Sequence, residues 1–522
     1  MIDTTPIVIF LLLAIVTAVY IFPKSRNEGL DPRKFPIFGD LHNSPVDKPL
    51  INWDAWAKQN GPIATAKLFG IVPIIILNTS EVVTELFSKR SQWYSNRPRS
   101  VRMEMMTGAG PGKAKFTLLH DYDTDLQLYH RILSPTIGAP STTRYQPLME
   151  LESMQLLVDL FALAERSEHH ITSTRTVYPF FERTQSSVIM SLHYGMRVPT
   201  CEEPILHQVV SIQARLSHLV AHPGLPDSLP ALRHLPALVS PWKRHANKIY
   251  EEQTKLYMKL MDHGRSCGGW NVTKQVIAAT EKHAQSPQIP DLDLAFMLAT
   301  SIQGGMETSP RQILWLFAGL IQNPVFLKKA HAMLDDVVGH GRLPTFQDRP
   351  KLPLIDAAVH ELLRWRPITP GSVPRRAGRD DDYRGVKIGK GTMIMANAWG
   401  IGRDEAVFDP SLGNLDNYVP ERWLFHDDDN SQLKLRRDLP LATFGQGRRS
   451  CLGKKAALDG MFIQVARLLW AFDIEAVEEV DPWKMDVVGL MIMPNDFRFK
   501  LKPRNIGVEA MIKEEWGKAD DH

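Results

Sequence analysis

The stretch from Asp291 to Gln322 carries apolar residues at helical spacing for longer than any other part of the chain, and Pro324 stands just beyond its end. Whatever this chain folds into must therefore house one long helix. That helix has an interior flaw: Gly304-Gly305 weakens the ladder, and Pro310 removes a donor and bends it. Helical spacing also dominates from about Pro147 to Val198 and from Trp242 to His263. Two β-branched runs, Ile63 to Leu68 and Ile71 to Leu77, flank Phe69-Gly70 and predict a small hairpin. Ser80 with Glu81 then predicts the cap of a following helix. Strand character returns over Val386 to Ala396, after an acidic turn at Asp380-Asp381-Asp382. The fold class expected is mainly α with a small β component, without an internal repeat.

With 44% hydrophobic and 23% charged residues, the 522-residue chain can bury a large core, which excludes global disorder. Length alone allows one large domain or two to three average ones. A net charge of +3, spread along the chain, argues against nucleic-acid binding. Only Cys201, Cys267 and Cys451 occur, with no CxxC pair, so neither a disulfide framework nor a zinc site of usual spacing is available and a reducing compartment is implied. Cys201 and Cys267 read as small buried hydrophobes.

At the amino end, Ile7 to Phe22 is an uncharged run that at ~1.5 Å per residue can just cross a bilayer. A cleavable signal peptide is the rival reading. Asp3 stands where a basic region belongs, and bulky Tyr20-Ile21-Phe22-Pro23 replaces a cleavage site, so a retained anchor is expected. Lys24, Arg26, Arg33 and Lys34 follow, which leaves the remainder on the cytoplasmic face and the sequons at Asn78 and Asn271 unglycosylated. The proline-punctuated stretch from Asp31 to Asp40 reads as a stiff spacer. The expected division is an anchor over 1–23, a linker over 24–45 and a catalytic body over 46–522.

Chemistry concentrates at Phe444-Gly445-Gln446-Gly447-Arg448-Arg449-Ser450-Cys451-Leu452-Gly453. Glycines allow tight turns around the sulfur, and peptide N–H groups at the mouth of the following helix can stabilise a thiolate. Glu361 and Arg364, spaced i to i+3, share a helix face; alone they read as a surface ion pair. Gly304-Gly305, alone, reads as a site of close helix packing.

The Cys451 segment resembles the haem-binding loop of the cytochrome P450 family, F-x-x-G-x-R-x-C-x-G, with Phe444, Gly447, Arg449, Cys451 and Gly453 at its five fixed places. Such a match arises by accident with probability on the order of 10⁻⁴. The likeness extends from the Pro-rich spacer through Tyr94-Ser95-Asn96-Arg97-Pro98 and Asp348-Arg349-Pro350 to this loop, and its closest flavour is that of fungal microsomal members of secondary metabolism. It implies a single large helical domain with minor sheets behind an N-terminal transmembrane helix. It also implies haem b, with Cys451 as axial ligand of the iron, Arg449 on a propionate, Phe444 as an aromatic shield, and Gly445 and Gly453 among the residues that bind the cofactor.

Further roles follow from the same resemblance. Glu361, Arg364 and the Arg422 of Pro420-Glu421-Arg422-Trp423 would form a structural salt-bridge cluster behind the Cys loop. Gly304-Gly305-Met306-Glu307-Thr308 is similar to the oxygen-activation motif, with Thr308 bonding the oxygen species or its water and Glu307 relaying protons. Arg375 in Val373-Pro374-Arg375 would hold the other propionate. One place departs from the family: where W-x-x-x-R is usual, Leu126 and His130 stand, with Arg131 adjacent, so His130 is the candidate donor there.

The implied function is insertion of one oxygen atom from dioxygen into an apolar small molecule, with electrons from a separate NADPH-cytochrome P450 reductase. Arg448, Lys454 and Lys455 would contribute to its docking surface, against the alternative of a merely solvated face. An endoplasmic reticulum membrane location and a monomer are expected. Two other functions stay open: an isomerase or dehydratase of the same fold that does not use dioxygen, and a haem-binding protein without catalysis.

Overall fold

The computed structural model describes residues 48–520 apart from 69–71, 109–113, 222–223, 229, 283–288, 428–431 and 505. The expected anchor and linker lie outside the described residues, and no described helix is long and apolar enough to cross a membrane.

Among the described residues, fourteen α-helices of six residues or more carry the fold: α1 Trp53–Asn60, α2 Val101–Met106, α3 Thr124–Ile137, α4 Gln146–Arg166, α5 Thr174–Tyr194, α6 Pro204–Ala221, α7 Pro241–Ser266, α8 Val272–Lys282, α9 Asp291–Gly305, α10 Thr308–Gln322, α11 Pro324–Val337, α12 Pro353–Trp365, α13 Lys454–Ala471 and α14 Ile506–Asp520. The strands are short: β1 Ile63–Leu68, β2 Val72–Leu77, β3 Ile171–Ser173, β4 Arg375–Arg376, β5 Asp381–Tyr383, β6 Val386–Ile388, β7 Met393–Ala396, β8 Leu424–His426, β9 Leu433–Leu435, β10 Phe472–Ala476, β11 Met485–Val488, β12 Met491–Pro494 and β13 Arg498–Pro503. The main sheet runs β1-β2-β7-β4, a second runs β10-β13-β3, and the rest are hairpins. A mainly α fold with small sheets is what the apolar spacing predicts.

Several boundaries differ from expectation. The helix after β2 is capped by Thr79, whose hydroxyl accepts from the Val82 N–H at 3.5 Å, not by Ser80. It then widens into a π-helical turn over Thr84–Lys89. The helical run predicted over 147–198 is interrupted by β3, which pairs with β13. The acidic residues after Arg379 are no turn: Asp381 opens β5, where its carboxylate accepts from Arg90 Nη1 at 2.9 Å and the Tyr94 hydroxyl at 2.6 Å. The reversal falls instead at Arg384-Gly385, with φ of 55° and 79°, a left-handed pair suited to a two-residue hairpin.

The long helical pattern is two helices. Pro310 has no N–H to offer the Met306 carbonyl, and the ladder breaks over Met306-Glu307. The Met306 N–H still reaches the Ile302 carbonyl at 3.0 Å and that of Arg311 the Glu307 carbonyl at 3.3 Å, so the break is bracketed by intact turns. On one side α9 contributes Phe296 and Ile302 to a core shared with Tyr257 of α7 and Ile132 of α3. On the other, α10 contributes Leu314 and Phe317 to a core shared with Leu362 of α12 and Leu469 of α13. The flaw thus sits where the two cores meet.

Candidate active site

The loop before α13 is held open by its glycines and closed by its backbone. Gly445 and Gly447 have φ of 64° and 61°, and the Cys451 N–H donates to the Phe444 carbonyl at 2.9 Å. Gly447 lies so close to the π-helical turn that a Cβ there would stand 1.9 Å from the Phe87 carbonyl oxygen. The Thr84 and Ser88 hydroxyls each donate to Gln446 Oε1 at 3.2 Å, which ties the loop to that turn from a second direction. The phenyl ring of Phe444 is half-buried against the core containing α12 and α13.

Cys451 is exposed to a water-sized sphere, yet it is surrounded by enough protein for burial to push its thiol pKa up, against the Gly453 N–H and the Lys454 charge that lower it. Both hold together when the sulfur faces an internal hollow. Its neighbour Leu452 packs on the core that contains Ile302 and Met306. A Cβ on Gly453 would stand 4.0 Å from Sγ, so the second glycine leaves the sulfur uncovered.

At the helix break the two glycines behave differently. A Cβ on Gly305 would meet Ile189 Cδ1 of α5 at 2.4 Å, whereas one on Gly304 would meet nothing within 4 Å among the described residues. Gly305 serves close packing and Gly304 opens on empty space. The Thr308 hydroxyl donates to the Gly304 carbonyl at 3.0 Å, at the rim of that space. Glu307 turns the other way: it is 3% exposed, and its carboxylate pairs with Arg311 Nη1 at 3.2 Å and lies 3.5 Å from the Ser217 hydroxyl. Glu307 and Thr308 are neighbours in the chain that face different partners.

Beside the loop lies an accumulation of buried positive charge. Arg449 donates to the carbonyls of Ser95 at 2.7 Å, Thr117 at 3.3 Å and His120. Arg375 donates to those of Gln446 at 2.7 Å and Tyr94 at 3.4 Å. Arg97 donates to those of Leu118 at 2.9 Å, Val373 at 2.9 Å and Pro374 at 2.7 Å. None of the three pairs with a carboxylate among the described residues. Burial disfavours all three charges, taking Arg375 to about 9 and Arg449 to about 10 and holding Arg97 well below its ordinary value; repulsion by Arg449 adds to this at Arg97 and Arg375, whereas Asp121 and Asp123 oppose it at Arg449. A guanidinium does not shed its proton readily, so this cost stands until an anion arrives. Arg97 escaped the sequence reading, because nothing local in Tyr94-Ser95-Asn96-Arg97-Pro98 marks that arginine as facing two others.

His130 joins this group: burial, with Arg449 nearby, lowers its pKa to about 4, so its imidazole is neutral. Leu126, at the place of the family's aromatic residue, is fully buried, and Arg131 is exposed to solvent. A further histidine appears that sequence reasoning missed. His120 sits edge-on to Tyr129 at 5.5 Å, and its Nε2 is buried without a hydrogen-bond partner among the described residues.

Behind the site, the carboxylate of Glu361 collects four groups. Arg364 Nε and Nη2 each donate to it at 2.7 Å, the Val419 N–H at 2.9 Å and Trp423 Nε1 at 3.0 Å. Arg422 Nε lies 3.6 Å away. The arginines turn their remaining donors on the loop before Pro420: Arg364 on the carbonyls of Gly402 and Leu415, Arg422 on those of Asp409, Gly413 and Asn414. The pair is fully buried, not the surface contact that its spacing alone allows. It ties α12 to the segment running toward the Cys loop, a scaffolding role.

A hollow with a sulfur on one side, an open helix break on the core beyond it, and unpaired guanidiniums at an edge suits a flat, apolar, anionic group. The chain matches the Cytochrome P450 family over residues 30–501. It is 31% identical to Cytochrome P450 monooxygenase criE of Aspergillus cristatus, over 93% of this chain and 86% of that protein. It is likewise 29% identical to Cytochrome P450 monooxygenase 58 of Postia placenta, over 96% and 93% of the two chains. Among solved structures, a zebra fish cytochrome P450 with progesterone superposes with a TM-score of 0.71, at 22% identity, covering 88% of this chain and all of that one.

Proposed function

The chain belongs to the cytochrome P450 family, and from that premise we propose a membrane-anchored monooxygenase that inserts one atom of dioxygen into an apolar small molecule, with Cys451 as the thiolate ligand of its haem b. One observation carries the reading: the guanidiniums of Arg97, Arg375 and Arg449, none paired with a carboxylate among the described residues, cluster around the loop that carries the exposed Cys451. The residues fit the group. Propionates would complete Arg97, Arg375 and Arg449 and give His120 Nε2 a partner, with His130 as a neutral donor nearby.

When bound, haem supplies redox-active iron for the reduction of dioxygen, with thiolate donation favouring O–O cleavage. The chain's own residues do the rest. Gly453 directs its N–H at the sulfur and favours its anionic form. Gly304, lacking a side chain, leaves room for a small reactant. Thr308 holds its hydroxyl at the rim by bonding to the Gly304 carbonyl, from where it donates or accepts one proton. Glu307, paired with Arg311, would leave that partner, take a proton from water and pass it to the Thr308 hydroxyl or to a water beside it.

Residues 46–522 would form one catalytic domain, held by the run Ile7 to Phe22 at the endoplasmic reticulum membrane on its cytoplasmic side. Electrons would come from NADPH-cytochrome P450 reductase. Of the basic residues beside the loop, Arg448 and Lys454 are exposed, whereas Lys455 is paired with buried Asp459 and has less to offer a docking partner.

The test is isotopic. Membranes holding the chain and the reductase, given NADPH, apolar candidate substrates and ¹⁸O₂, should yield products carrying one ¹⁸O. Turnover without dioxygen or NADPH, or oxygen drawn from water, would favour the isomerase or dehydratase reading. Deleting residues 1–23 should release the protein from the membrane fraction.

A further inference from the structure

In helix α9 Leu294 to Ala299 and Ile302 are buried, as is Met306 just beyond its end. Against that background Thr300, Gln303 and Gly304 keep accessible surface, and the space beyond Gly304 is open. These residues therefore border the interior hollow. Two carboxamides are anchored at this stretch, each to a different partner. Gln213 of α6 donates from Nε2 to the backbone carbonyl of Gln303 at 3.3 Å. Because a carbonyl only accepts, the end of Gln213 at the helix must be its nitrogen, which leaves Oε1 as an acceptor without a partner among the described residues. The Gln303 side chain meets the hydroxyl of Tyr257 at 3.1 Å. Whichever way that amide is turned, its other end is left over.

The surroundings are aromatic and aliphatic. Tyr257 stands edge-on to Phe296 at 5.2 Å, Phe116 lies 5.2 Å from Phe296, and Ile212 and Leu216 of α6 are buried in the same cluster. An acceptor that stays accessible while lined by such side chains is placed to meet a donor, and a ligand that shielded it without offering one would leave it unpaired at a cost.

We propose that Gln213 and Gln303 are specificity-determining residues, and that the substrate is an apolar small molecule bearing at least one N–H or O–H group, held by this carboxamide pair while a carbon is presented near Gly304. The inference rests on the hollow being the haem-side substrate pocket, as in the proposed function. A substrate of hydrocarbon alone would leave the Gln213 oxygen unpaired. By general hydrogen-bond energetics the donor group should improve binding about tenfold.

Binding without turnover tests this. Aryl imidazoles coordinate haem iron through nitrogen and shift its absorption, so dissociation constants can be read for matched pairs whose meta or para substituent is hydroxyl or methoxy. The full-length haem-loaded protein should bind at least one hydroxyl compound about tenfold more tightly than its methyl ether. Gln213→Leu and, independently, Gln303→Leu should bring that ratio near one while the reduced, CO-bound spectrum stays that of the parent. Equal affinities within every pair for the parent, or a preference that survives both substitutions, overturn the proposal. Absence of any shift with every imidazole would instead defeat the haem reading, and this inference with it.

Discussion

Gly445 and Gly447 offer a comparison whose outcome depends on one contact. Both hold nearly the same left-handed φ, 64° and 61°, so replacing either by alanine carries a similar conformational cost, ~1–2 kcal/mol for an L-residue. Their surroundings differ. At Gly445 the new methyl would meet the Arg449 carbonyl oxygen at 3.4 Å, an ordinary contact. At Gly447 it would stand 1.9 Å from the Phe87 carbonyl oxygen, 2.9 Å from its carbon and 3.2 Å from Ser88 Cα. All three are backbone atoms, so no side chain can rotate away. The loop must lift off the π-helical turn, releasing the Gln446 bonds to Thr84 and Ser88. Overpacking of this kind adds ~1–3 kcal/mol, which puts Gly447→Ala at about 2–5 kcal/mol and Gly445→Ala near the conformational cost alone. Urea unfolding of the two variants gives the difference in midpoint, and haem retained after gel filtration shows whether the loop still presents its cysteine. If the two differ by less than about 0.5 kcal/mol, the scatter expected of independent measurements, the close approach of the loop to Phe87 is not what selects glycine at 447.

Glu361→Gln should cost ~3–5 kcal/mol in equilibrium unfolding, because it leaves Arg364 and Arg422 buried without their carboxylate; a loss below about 1 kcal/mol would mean the cluster is solvated. Arg97→Leu removes one of three neighbouring cations and also the donor to three carbonyls, so its effect is read on the haem: transfer to an acceptor apoprotein should quicken roughly tenfold or more. An unchanged transfer rate would take Arg97 out of the propionate site. His193 is buried, with its Nδ1 on the Ile189 carbonyl, and burial lowers its pKa to about 4. A folded-state pKa depressed below the ordinary 6.5 means that the unfolded chain takes up the proton first. The stability it supports is therefore present above pH 6.5 and falls toward pH 4, by about 1.4 kcal/mol per unit. His193→Gln should flatten that part of the stability profile measured by urea unfolding, and an unaltered slope would show that the imidazole is hydrated.

What the chain disclosed in advance followed how local each signal is. The Cys loop and the Glu361-x-x-Arg364 spacing are written within a few residues, and the structure holds both as compact units. Pro310 announced the break between α9 and α10 because a missing N–H acts on one carbonyl whatever surrounds it. Arg97 and His120 were silent: an arginine bonded to three carbonyls and repelled by two distant guanidiniums has no local signature. Thr79 rather than Ser80 caps the helix after β2 because the choice between adjacent hydroxyls is settled by backbone angles, extended at Thr79. Likewise the Asp380 to Asp382 run reads as a turn by composition, yet the partners of Asp381, Arg90 and Tyr94, are remote in sequence and hold it in a strand. The partner of Glu307 was within reach, since Arg311 stands four residues on, the spacing of a helical ion pair.

The most direct test of the account is the absorption spectrum of the reduced, CO-bound protein with and without the sulfur of Cys451. A thiolate ligand gives the red-shifted band for which the family is named, and the full-length protein should show it. Cys451→Ala should abolish that band, and Cys451→His should leave at most the shorter-wavelength band of a nitrogen-ligated haem. Persistence of the red-shifted band in either variant would contradict the assignment of Cys451 as the ligand.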